Sequence, residues 1–203
     1  MTAGQASRSG TDLDADLRAR LTALQQEGRR LSAEFRARDR PHGWHPFIPA
    51  DYNRVEERLL SLRQPGLRFL EWGSATGVIT IMADMLGFEA YGIELDAELV
   101  DIARDLARRF ESSARFAAGS FLPGGYEWQS ETGDRRLGTI GEGVPGYTEL
   151  QRPLEDFDLV FGYPWGGEEP VMRDVMRRYG GRTARLLLHG TTDMEIRQDS
   201  PIA

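Results

Sequence analysis

LEWGSATG, Leu70–Gly77, stands between two apolar runs, LRFL ending at Leu70 and VITIMADML starting at Val78. The chain must turn sharply between two buried elements there, and Gly73 and Gly77 leave backbone uncovered by side chains. A buried run, a glycine turn and an apolar helix are the opening of a strand–turn–helix unit whose turn faces a ligand. Read outward from it, LRFLEW predicts the first strand, VITIMADML a helix and EAYGIEL a second strand. Ala97 to Phe110 follows as a helix with Leu99, Ile102, Ala103, Leu106 and Phe110 inward. ARFAAG is a short third strand and FDLVFG, Phe157 to Gly162, a fourth. A helix with Met172, Val175, Met176 and Tyr179 on one side comes next, and ARLLLHG closes the series. Continuously apolar strands separated by helices predict a parallel sheet covered on both faces, with ligands bound beyond the carboxyl ends of its strands.

Upstream, residues 1–11 are small and polar and read as a disordered lead-in. From Leu13 the positions Leu17, Leu21, Leu24, Leu31 and Phe35 recur at helical steps, interrupted by Gly28. This helix is expected to pack on the domain, a homodimer contact being the alternative. RPHGWHPFIP, Arg40 to Pro49, cannot be helical, because Pro41, Pro46 and Pro49 fix the backbone. Asp51 reads as the N-cap of a helix carrying Tyr52, Val55, Leu59 and Leu62 on one face. The predicted organisation is thus a helical extension over 12–65 and an α/β domain over 66–203. An insertion at 120–156, rich in glycine and too long for an ordinary connection, is either a lid or a loosely ordered surface segment.

Composition excludes several chemistries. Among 203 residues there is no cysteine, which removes disulfides, thiolate metal sites and thiol nucleophiles. All 25 basic residues are arginine, so no Schiff-base or phosphate-loop lysine exists. A net charge of -7 disfavours a nucleic-acid partner, and no apolar run reaches membrane-spanning length. A soluble cytoplasmic protein is expected, with no metal.

The turn discriminates among ligands. A dinucleotide site calls for GxGxxG, but the three positions here hold Gly73, Ala75 and Val78, which disfavours an NAD-linked oxidoreductase. A nucleoside without phosphates needs close backbone approach and no anion cradle. Glu94, 21 residues after Gly73 and at the end of the second strand, is placed to accept hydrogen bonds from two ribose hydroxyls. LEWGSATG, GIELDAELVDIAR, AAGSF and FDLVFGYPW resemble, in order, motifs one to four of the class I, Rossmann-like S-adenosylmethionine-dependent methyltransferases.

That resemblance implies a three-layer sandwich with a parallel core of order 3-2-1-4-5. Only 13 residues follow Gly190, so strands six and seven are expected to be absent or rudimentary. S-adenosylmethionine is the implied cofactor and S-adenosylhomocysteine the product. Gly73, Ser74 and Gly77 would line it from the turn, Glu94 and Leu95 hold its ribose end, and Glu71 orient its methionine end. Ser120 and Phe121 fall where the family meets adenine, serine replacing the usual acid. The residues after strand four would lie beside the methyl group. Tyr163, Trp165 and Glu168, with Glu169, are the candidate catalytic set, able to receive a cationic amine through ring faces and negative charge. GYPW lacks the leading amide or carboxylate of nucleobase and amide methylating enzymes. WHPFIPADYNRVEERLLSL resembles the segment ahead of strand one in small protein-lysine methyltransferases, which would let Phe47 or Tyr52 cover the cofactor, with His42 and His45 as candidate bases. The acceptor, small molecule or protein, is not specified. A non-catalytic module on a degenerate methyltransferase fold is the rival of a different class.

Overall fold

The computed structural model describes residues 13–37, 48–128, 139–165 and 167–190, with the backbone of 194–197. The lead-in at 1–11, the stretch holding Pro41, His42, His45, Pro46 and Phe47, the middle of the insertion at 129–138, and Gly166 lie outside the described residues.

Five parallel strands, β1 (Arg68–Trp72), β2 (Glu89–Glu94), β3 (Arg115–Ala118), β4 (Leu159–Gly162) and β5 (Arg185–His189), are arranged β3-β2-β1-β4-β5. A four-residue strand, β6 (Met194–Arg197), runs antiparallel beside β5 with Ile196 opposite Leu187. β1 is central, Leu70 pairing with Tyr91 on one side and Val160 on the other. Because side chains alternate along a strand, Phe69, Phe116, Phe161 and Leu187 enter one core, whereas Leu70, Trp72, Ile93, Val160 and Leu188 enter the other. The continuous apolar runs of the sequence follow from burial on both faces.

The first face is covered by α1 (Ala15–Arg36), α2 (Tyr52–Leu62), α3 (Val78–Met85) and α4 (Ala97–Arg109). Aspartates start three of them: Asp14 accepts from the Leu17 N–H, Asp51 from Asn53 and Arg54, and Asp96 from Glu98. The N-terminal helices share the core with α3 rather than standing apart from it. Gly28 does not interrupt α1. It is where α1 presses on α3, since a Cβ there would lie 2.4 Å from Val78 Cγ2.

The second face is covered by α5 (Tyr147–Leu150), a 3-10 turn (Leu154–Asp156) and α6 (Glu169–Tyr179). Residues 139–156 of the insertion pack on this face. Ile140, Tyr147, Leu150 and Leu154 are buried against the sheet.

Candidate functional site at the carboxyl ends of the strands

Between β1 and α3 the chain folds back on β2, the N–H groups of Gly73 and Ser74 both donating to the Ile93 carbonyl at 2.9 and 3.0 Å. Gly73 and Gly77 have φ of +72° and +80°, values that L side chains rarely adopt. A Cβ on Gly77 would also come within 2.7 Å of Ala103 and 2.8 Å of the Phe116 ring. Ala75, between them, is held at φ +48° without being glycine. Its N–H explains how: it donates to Glu94 Oε2 at 2.9 Å, and Glu94 Oε1 accepts from Asp96 at 3.0 Å. Strained backbone of this kind costs of order 1 kcal/mol or more and persists where a site over-determines it. Glu94 is buried, which pushes its pKa up, while the two N–H groups work in the opposite direction. A carboxylate has about four acceptor positions; one holds the turn through Ala75 and others are taken by the backbone after β2, so the acceptor capacity left faces a ligand's hydroxyls.

Glu71, on the first face of β1, lies under the same turn. Its Oε2 accepts the N–H of Thr80 at 2.9 Å and the Thr80 hydroxyl at 2.5 Å. It thereby caps α3, whose N-cap Gly77 has no side chain to do so. Burial pushes the Glu71 carboxyl up to about 8, with Glu94 adding in the same sense. Tyr52, buried at the start of α2, joins Glu71 and Thr76 around a small cleft. Ile48, Pro49, Gly73, Ser74, Phe161 and Tyr163 complete most of its wall. The Ser74 hydroxyl is buried and makes no hydrogen bond among the described residues. The cleft measures about 50 Å³, against roughly 300–1,000 Å³ for pockets that enclose a small-molecule ligand.

Residues 139–146 cross the crevice beside this cleft. Thr139 Cγ2 sits where a Gly73 side chain would be, 2.5 Å from an ideal Cβ, and its hydroxyl donates to the Tyr163 carbonyl at 2.7 Å. Ile140 donates to Glu168 Oε1 at 3.0 Å. At the far end the Ser120 hydroxyl donates to the Gly141 carbonyl at 2.6 Å, the Ser120 N–H to the Val144 carbonyl, and Gly146 back to Ser120. Gly143 lies against Leu95 and Ser120. The strap therefore touches the ends of β1, β2, β3 and β4 at once.

This corrects three expectations. Ser120 does not present a free hydroxyl to an adenine ring; both it and the backbone N–H are bonded to the strap. Phe121 does not face the crevice but stacks in the second core on Trp72, ring centroids 4.6 Å apart, because the apolar ring is buried there completely. Glu168 is not an open receiver of cations. Its two oxygens accept N–H groups from Ile140 and, at 2.8 Å, Trp165, and burial raises its pKa against these bonds. Glu169 is exposed and paired with Arg173 one turn along α6. Tyr163 lines the cleft, and Trp165, two residues on, is half-buried.

One residue escaped the sequence reading. His189, ending β5, is buried with its ring 4.6 Å from that of Tyr163. Its Nε2 accepts the Asp51 N–H at 3.3 Å, so Nδ1 carries the proton. That Nδ1 is buried and makes no hydrogen bond among the described residues. Burial lowers the pKa, keeping the ring neutral. A histidine at the carboxyl end of a strand was the available signal, since that is the ligand edge of such sheets.

Fold and crevice together define a Rossmann-like α/β protein with a glycine turn and an acidic strand end at its switch point. No protein-family model matches the chain, and no curated protein matches it in sequence. Among solved structures, the chain is similar to a precorrin-6y C5,15-methyltransferase from Geobacter metallireducens, at 17% identity over 71% of this chain and 65% of that one, with a TM-score of 0.49. It is similar to an RNA methyltransferase from Salinibacter ruber in complex with S-adenosyl-L-homocysteine, at 17% identity over 70% and 76%, TM-score 0.49. A TehB-like S-adenosylmethionine-dependent methyltransferase from Corynebacterium glutamicum shares 20% identity over 85% and 74%, TM-score 0.44. The chain thus spans just under two thirds of the Geobacter enzyme. Among the described residues no helix is long and apolar enough to cross a membrane.

Proposed function

We propose that this chain is an S-adenosylmethionine-dependent methyltransferase whose cofactor binds across the turn 73–77. The observation that carries the reading is the coupling of Glu94 to the turn. One carboxylate fixes the strained Ala75 backbone and keeps acceptor capacity for a ribose hydroxyl. The other groups fit the same ligand. Gly73 has no side chain to block a nucleoside, the Ser74 hydroxyl is unsatisfied, and Glu71 places a carboxyl under the turn where an ammonium group needs a partner. When bound, the cofactor supplies an electrophilic methyl group on a sulfonium and leaves as the neutral thioether.

The residues at the end of β4 orient the acceptor. Tyr163 lines the cleft, and His189 backs its ring with a neutral imidazole whose Nε2 accepts the Asp51 N–H. A ring held neutral with Nε2 already accepting is not a base for the acceptor; it positions Tyr163. An amine, small or on a protein side chain, is the acceptor class that suits the ring faces of Tyr163 and Trp165.

The strap supports a second reading, in which the chain has filled the nucleoside position with its own backbone and serves as an interaction module. Calorimetry separates the two. Saturable binding of S-adenosylhomocysteine, lost on Glu94→Ala while NAD shows none, supports the enzyme. A folded protein that takes up neither ligand supports the module.

A further inference from the structure

We infer that residues 139–146 are a displaceable strap that competes with the nucleoside for the crevice, so that cofactor binding and strap closure exclude one another. This rests on the cofactor reading above and adds its regulation. Three contacts carry it. Thr139 Cγ2 stands against Gly73, where the turn is bare so that a ligand can approach. Val144 and Gly141 take the N–H and hydroxyl of Ser120, leaving neither for a base. Gly143 lies on Leu95, next to the ribose-binding Glu94.

The strap is held by hydrogen bonds at loop ends and by the Ile140 side chain, which is buried at the edge of the second core and leaves it when the strap opens. Its bonds are Thr139 to the Tyr163 carbonyl, Ile140 to Glu168, and three at Ser120. All lie at loop ends, and the exposed Val144 marks its outer side. Beyond Gly146 the chain is anchored by α5, whose Tyr147 accepts from Trp72 Nε1 and donates to the Phe121 carbonyl, so movement stops there. Glu168 accordingly acts as a latch. It joins the strap to the loop that bears Tyr163 and Trp165, so release of the strap frees that loop as well. A closed state that must open before binding lowers the apparent affinity by the fraction of molecules that are open.

The full chain is titrated with S-adenosylhomocysteine by calorimetry as wild type, as Thr139→Val, which removes one latch bond at constant shape, and as Glu168→Gln. Amide exchange is followed at Ile140 and Gly146. Binding is expected to be about three- to tenfold tighter in each variant, the worth of one hydrogen bond, and exchange at both amides to accelerate when ligand is added. Should Glu168→Gln fail to fold, Thr139→Val carries the comparison. Binding with unchanged affinity in the variants and unchanged protection of both amides overturns the strap and leaves the cofactor reading standing. Failure of the wild type and both folded variants to bind overturns the cofactor reading and the strap with it.

Discussion

Glu71→Gln isolates a strongly perturbed carboxyl of the site. In the folded chain it holds its proton up to about pH 8, against an ordinary value of 4.5, because it is buried. The unfolded chain gives that proton up near pH 4.5. Folding therefore suffers nothing from Glu71 below that pH, loses stability steadily as pH rises, and levels off above about 8. At roughly 1.36 kcal/mol per pH step the cost is about 3 kcal/mol at pH 7 and about 5 kcal/mol at pH 8.5. Glutamine cannot ionise, yet its carbonyl oxygen keeps an acceptor for the Thr80 N–H and hydroxyl. Urea unfolding at pH 5, 7 and 8.5 is expected to show the variant more stable than wild type by under about 1 kcal/mol at pH 5 and by about 3 kcal/mol at pH 7. The gap should approach about 5 kcal/mol at pH 8.5 with the denaturant slope unchanged. A difference that stays constant across the three pH values would refute the buried protonated carboxyl. An ammonium-bearing ligand beside Glu71 draws it back to the ionised form. Binding of S-adenosylhomocysteine near pH 7 then releases a proton, read as a dependence of the calorimetric heat on buffer.

Glu94→Ala removes charge-assisted acceptors worth roughly 1.5–3 kcal/mol each, so ligand affinity is expected to fall at least about tenfold while circular dichroism stays native; an undiminished affinity places the ribose elsewhere. Gly28→Ala improves helix propensity by about 1 kcal/mol but forces a Cβ to 2.4 Å from Val78. Overpacking of about 1–3 kcal/mol is expected to win, so the melting temperature drops, and a rise would show that α1 has room to shift. Long-range nitrogen–proton NMR of His189 is expected to show the Nδ1–H tautomer, with protonation only below the ordinary histidine range; a Nε2–H signal would refute the bond from the Asp51 N–H. The stability tied to this histidine is present above about pH 6.5 and is lost as pH falls toward its lowered pKa.

Much of this architecture is local and therefore readable from sequence. Strand residues such as Leu70 and Val160 are apolar on consecutive positions because both faces are covered. Asp51 and Asp96 start helices through bonds spanning two or three residues. The turn at Gly73–Gly77 and the acid at Glu94 belong to one strand–turn–helix–strand unit, so their meeting follows from strand pairing alone. Gly28 misled for the opposite reason: its purpose lies in Val78 on another helix, and no pattern within α1 announces it.

What the chain by itself determined is the order of elements, the sheet with its two cores, and the turn with its two acids, since periodicity, caps and glycine spacing act over a few residues. Only the tertiary structure decided what stands in front of the turn. Thr139 meets Gly73, Ile140 meets Glu168, Phe121 chooses Trp72, and His189 meets Asp51 across 138 positions of chain. Such contacts arise from packing segments that are remote in sequence, where each partner is a common residue type and the pairing leaves no periodic trace.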